Sequence, residues 1–154
     1  MSFFDKIAEL INGGESSGSF HSRMSTIAQQ LGLEIHFDED GDPVCTFVVE
    51  FQGESYFLIA MQRGDKVLLS ACSNIKFPPG CLPRDVAAYL AEQNRSLEKC
   101  DYDAMETRKN SYFTAKAAAR FSAMSAEIIR WAIDELVLRM AALDTLLVRK
   151  GYAN

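Results

Sequence analysis

Residues 27–49 read IAQQLGLEIHFDEDGDPVCTFVV, and within this stretch the apolar period changes from helical to extended. Upstream, Phe20, Met24, Ile27 and Leu31 are spaced 4, 3 and 4, one apolar stripe of a helix over about 20–31. Gly32 stands where a helix-ending glycine belongs, and Leu33 follows as the apolar residue that closes such a cap. Residues 33–37 and 44–52 are then two apolar runs around Asp38-Glu39-Asp40-Gly41-Asp42-Pro43. An Asp-Gly pair between such runs predicts a hairpin.

Working outward, Gly53-Glu54 turns the chain into a strand over 56–62, and Arg63-Gly64-Asp65-Lys66 turns it into another over 67–72, a four-strand meander. Cys45, Phe47, Val49 and Phe51 alternate with Val44 and Val48, and Phe57, Ile59 and Met61 alternate with Tyr56, Leu58 and Ala60. A sheet with one wet face reads apolar-in, polar-out, so here both faces call for cover. Residues 74–82 form a loop, and Pro83 opens a helix over about 83–95 with Val86, Tyr89 and Leu90 inward. A hairpin follows over 97–105 and 111–117, with an extension of the last helix through the Ala-rich run at 114–119 as the alternative. That helix spans about 122–150. Its stripe of Ile129, Ile133, Leu136, Met140, Leu143 and Leu147 is spaced 4, 3, 4, 3 and 4, and its length is roughly 43 Å. Arg130–Asp134 and Glu135–Arg139 are expected as ion pairs along it. Before all of this, residues 2–12 read as a short helix with Phe3, Ile7 and Leu10 on one face, and 13–19 as a Gly/Ser linker. The fold class is α+β, an antiparallel meander sheet with helices in the order α-(α)-β-β-β-β-α-β-β-α. The domain division is 1–19, an appendage, and 20–154, a single α+β domain.

The chain has 154 residues and a net charge of −5. Residues 1–80 hold 5 Lys/Arg against 11 Asp/Glu, whereas 81–154 hold 11 against 10. An acidic balance does not suit a nucleic-acid or anionic-membrane binder. Absence of an apolar span or a basic leader points to the cytoplasm. Cys45, Cys72, Cys81 and Cys100 contain no CxxC, so neither a zinc site nor, in a reducing compartment, a disulfide is expected. The acids of 38–42 fail calcium-loop spacing, since the glycine and the final acid cannot both be placed. No nucleophile elbow or phosphate loop occurs. No catalytic residue, metal or cofactor is therefore assigned. An enzyme would have to show a deep polar pocket with converging titratable groups.

The order of elements, and the residues themselves, resemble the class I type III secretion chaperones. The stretch 27–49 is similar to that family's first helix, Leu-Gly-Leu step, strand, acidic turn and strand. PPGCLPRDVAAYLAEQNRSL at 78–97 is similar to its central helix, with Leu90 and Asn94 matching a Leu-x-x-x-Asn near the helix end. The resemblance covers about 20–148. It implies a small acidic homodimer without enzymatic activity that holds an extended segment of a partner protein. Bacterial sensory-transduction regulators share that fold and give the alternative reading, with no secretion role. Partner binding is expected on one sheet face at Val48, Tyr56, Leu58 and Leu68, with dimer or overhang contacts at Val86, Leu90 and Trp131. On this assignment Leu58→Asp weakens partner capture and spares the fold. The seven acids between Glu34 and Glu54, with no Lys or Arg among them, would steer a basic segment.

Overall fold

The computed structural model describes residues 17–152. The expected helix at 2–12 and the start of the linker lie outside the described residues. Helix α1 (Ser17–Leu31) already includes the last three residues of that linker. It buries Phe20, Met24, Ile27 and Ala28. Its end is a Schellman cap: Gly32 has φ 67°, and the Leu33 amide donates to the Ala28 carbonyl at 2.9 Å.

Four strands meander as expected: β1 (Glu34–Phe37), β2 (Val44–Phe51), β3 (Glu54–Arg63) and β4 (Lys66–Cys72). The β2–β3 turn is two residues, Gln52 and Gly53, both at positive φ (51° and 79°). That is the backbone twist a two-residue hairpin needs. Helix α2 (Arg84–Asn94) follows, then β5 (Asp101–Glu106) and β6 (Ser111–Arg120). The Ala-rich run is strand, because β6 is paired on both sides, with β4 and with β5. The sheet has six strands in the order β1-β2-β3-β4-β6-β5, with all pairs antiparallel.

The closing helix is interrupted. A 3₁₀ turn at Phe121–Ala123 delays its start, and Ser125 caps α3 (Ala126–Ala132) by accepting from the Ile128 amide at 3.3 Å. A π turn (Ile133–Val137) leads into α4 (Leu138–Arg149). This wider turn changes the inward register. Leu136 and Val137 are both fully buried while Ile133 is only half-buried. The i,i+4 pair Glu135–Arg139 forms at 3.0 Å. Arg130 and Asp134, which straddle the start of the π turn, do not pair among the described residues.

The core lies between one sheet face and the helices. Phe47, Leu58, Leu69, Phe113, Leu136, Met140 and Leu147 are among its fully or nearly fully buried side chains. Ala115 and Ala117 present only methyl groups to this layer, so the π turn and α4 reach β6 closely. The family-like Leu90 and Asn94 have plain structural duties. Leu90 is buried. The Asn94 carboxamide donates to the Tyr102 carbonyl at 2.9 Å and accepts from the Tyr102 amide at 2.7 Å, fastening α2 to β5.

Candidate functional site

All described helices lie on one side of the sheet, and the other face is open. Its composition follows from register. Val48 is opposite Phe57, Thr46 opposite Ile59, and Val44 opposite Met61. Met61 is in turn opposite Leu68, and Leu68 opposite Ala118. Directly opposed residues of an antiparallel pair share a face. The open face therefore carries a contiguous apolar field of Val44, Val48, Phe57, Ile59, Met61 and Leu68. Phe57 is 45% exposed, and the other five are half-buried. Polar groups surround the field. Glu34 and Glu50 lie on the β1–β2 side toward the β2–β3 turn, and the exposed acidic loop 38–42 lies at the opposite end of the same two strands. Arg63, Lys66 and Arg120 lie at the end where α1 begins. Lys116 pairs with Asp103 at 2.5 Å toward the β5 edge, and the Lys116 ammonium beside it holds the Asp103 carboxyl below the usual carboxylate range.

The four expected contact residues are split. Val48 and Leu68 are on the open face. Tyr56 and Leu58 are on the buried one, at 4% and 0% exposure. The four would share a face only if the β2–β3 and β3–β4 loops were both of odd length. The two-residue turn instead pairs Val48 with Phe57 and sends its neighbours Tyr56 and Leu58 to the helices. Phe57 and Ile59, the true neighbours of Val48, were in view in the alternation, but the turn length that selects them was not. Two of the three expected dimer contacts are buried within the chain. Val86 and Leu90 point into the chain's own core, at 0% and 4% exposure, while Trp131 on α3 is half-buried against it. Helix α2 turns outward Ala87, Ala88, Ala91 and a half-exposed Tyr89.

A second polar feature was not legible in the sequence. Asp144 on α4 is buried and accepts hydrogen bonds from the Tyr56 hydroxyl at 3.0 Å, the Asn74 amide at 3.0 Å, and the Ser73 hydroxyl. Burial, then the neighbouring Asp144 carboxylate, pushes the Tyr56 phenol up from its usual value. The cluster floors a cleft of about 560 Å³ between the β2–β3 turn and α4, with Phe51, Glu54, Val148 and Arg149 at its walls. Both oxygens of Asp144 are engaged by the fold, so its evident task is to tie β3 and the chain after β4 to the last helix.

Cys45 is buried in the core and its thiol is pushed up to about 12, mainly by that burial. Cys100 is buried as well, Cys72 is half-buried on the open face, and Cys81 is exposed. Thiolate is the reactive form. Peptide-resolved alkylation of the native chain at pH 8 is therefore expected to label Cys81 first and Cys72 more slowly. Cys45 and Cys100 label only after unfolding. Among the described residues, no group of three His, Cys, Asp or Glu converges as a metal site, and no helix is long and apolar enough to cross a membrane.

No protein-family model matches the chain, and no curated protein matches it. Its fold is similar to that of a chain in the solved structure of the HopA1-SchA chaperone-effector complex. The two share 12% identity at a TM-score of 0.57, over 82% of this chain and 93% of that one. The likeness is one of fold, an α+β arrangement of one antiparallel sheet with helices.

Proposed function

We propose that this chain is a non-catalytic protein-binding module that holds an extended segment of a partner protein on the open face of its sheet. The apolar field centred on Phe57 and Ile59 carries the reading. An exposed apolar area rimmed by charge marks an interaction surface, and here the described helices all lie on the opposite face. The structural relative comes from a chaperone-effector complex, which supports a protein as the ligand class. The acids along β1, β2 and their turn favour a segment with basic residues beside its apolar ones. Each apolar side chain it buries contributes about 1.5–3 kcal/mol before the cost of ordering the segment.

Selection of displayed peptides on the immobilised chain tests this, with counter-selection on Leu68→Asp. Recovered peptides are expected to alternate apolar residues with Lys or Arg. They should lose about tenfold to a hundredfold in affinity for Leu68→Asp, which corresponds to one well-buried side chain. Binding that Leu68→Asp leaves unchanged would place the ligand elsewhere.

The module works as a homodimer in this reading, joined through the outward face of α2. Ala87, Ala88 and Ala91 allow close approach, and Tyr89, 51% exposed, serves as the anchor. Light scattering is expected to give a mass near twice 17.2 kDa. Tyr89→Glu should return it to the monomer value; a monomeric wild type at high concentration defeats the dimer.

A further inference from the structure

We propose that residues 2–12 dock as an amphipathic helix on the open sheet face of their own chain, at the end where α1 begins, and compete there with the partner segment. This rests on the reading of that face as a docking surface. The occupant is suggested by the segment's own chemistry. At 100° per residue, Phe3, Phe4, Ile7, Ala8, Leu10 and Ile11 fall within an arc of about 160°, and Asp5, Lys6, Glu9 and Asn12 fill the remainder. Eleven residues are too few to hold a helix alone in water. Such a segment becomes helical only against an apolar surface, and the open face is one that no described element covers.

Position supplies the second argument. The first turn of α1 is held at one end of the sheet. There the Phe20 and Phe121 rings lie 6.2 Å apart, and His21 Nε2 is 3.3 Å from the Asp42 carbonyl oxygen. The Phe121 amide in turn donates to the Asp65 carbonyl at 2.7 Å. The β1–β2 turn, the β3–β4 turn and the end of β6 therefore meet at the start of α1. Val44, Met61, Leu68 and Ala118 lie on the open face at the same end. From residue 12 to residue 17 the chain can span about 17 Å, more than the ~10 Å between packed layers. Gly13 and Gly14 leave it free to bend round the sheet end.

Charge supplies the third. Arg63, Lys66 and Arg120 are exposed at this end, and none makes an ion pair among the described residues. The preceding segment carries Asp5, Glu9 and Glu15 against Lys6 alone. A tether this short gives an effective concentration in the millimolar range, so docking on the same chain outcompetes docking on another copy.

The full-length chain tests this with two readouts. The first is fluorescence of the apolar dye anilinonaphthalene sulfonate. Phe3→Asp with Ile7→Asp should raise it about threefold or more over wild type by uncovering the face. The second is hydrogen exchange at residues 5–12. It should show about tenfold or greater protection in wild type, independent of protein concentration, and lose it in Leu68→Asp and partly in Lys66→Glu. Wild type that binds dye as strongly as the double variant overturns the inference and leaves the docking face standing. If neither binds dye and the segment is unprotected, the inference and the docking-face reading fall together. Protection that disappears on dilution assigns the segment to a second copy and overturns docking within one chain.

Discussion

Leu58→Asp is expected to unfold the chain, whereas Phe57→Asp, one residue away, leaves it folded and abolishes partner capture. Leu58 is fully buried beneath the helices. The change forfeits about 1.5–3 kcal/mol of apolar burial. It also places an unpaired carboxylate in the core at a further cost of several kcal/mol. Total stability of a domain is about 5–15 kcal/mol, so the folded state does not survive with a useful margin. Phe57 is 45% exposed on the other face. Its replacement is expected to shift unfolding by about 1 kcal/mol or less while removing the centre of the docking field. Circular dichroism with urea titration, alongside peptide affinity, separates the two. A folded, non-binding Leu58→Asp would reverse the faces assigned here.

Asp144→Ala carries the next largest effect. It strips the acceptor from the Tyr56 hydroxyl, the Ser73 hydroxyl and the Asn74 amide, and each buried donor left unmet costs about 1–3 kcal/mol. A loss of about 4 kcal/mol is expected, or about 10 °C in Tm for a domain of this size. Tyr56→Phe removes a single hydrogen bond to a carboxylate and should cost about 1.5–3 kcal/mol. It should also alter the response to alkali. The Tyr56 phenol is raised in the folded state by burial and by Asp144, so below its unfolded value of about 10 the contribution is fully present. As pH rises beyond that value the unfolded chain releases the proton first, and stability falls. Urea midpoints of wild type are expected to drop across this window more than those of Tyr56→Phe. Equal drops would mean that the Tyr56–Asp144 contact does not form.

Much of the fold is legible locally. The 4, 3, 4 spacing of Phe20, Met24, Ile27 and Leu31 and the Gly32-Leu33 cap define α1 to within a few residues. Asp-Gly at 40–41 and Gly64-Asp65 place two turns of the meander. The two-sided apolar alternation of β2 and β3 calls for cover on both faces, and the described helices cover one of them. Two elements needed the tertiary structure, for physical reasons. Thr114–Ala119 left strand and helix both open by propensity; pairing on both sides makes it the strand of the expected hairpin. The stripe from Ile129 to Leu147 is regular in sequence, yet a π turn at Ile133–Val137 takes up the change of register as the helix crosses the sheet.

The sequence by itself determined the elements, their order and the apolar character of both sides of β2 and β3, because periodicity and turn chemistry act within a few residues of each other. Only the tertiary structure decided which side is core. That choice hangs on one two-residue turn, and a single added residue would exchange Val48 with its neighbours relative to Tyr56 and Leu58. It also decided that β6 enters between β4 and β5, and that Tyr56, Ser73, Asn74 and Asp144 meet. These contacts join positions as much as 88 residues apart, where no local pattern reaches and only packing of the whole chain sets the distance.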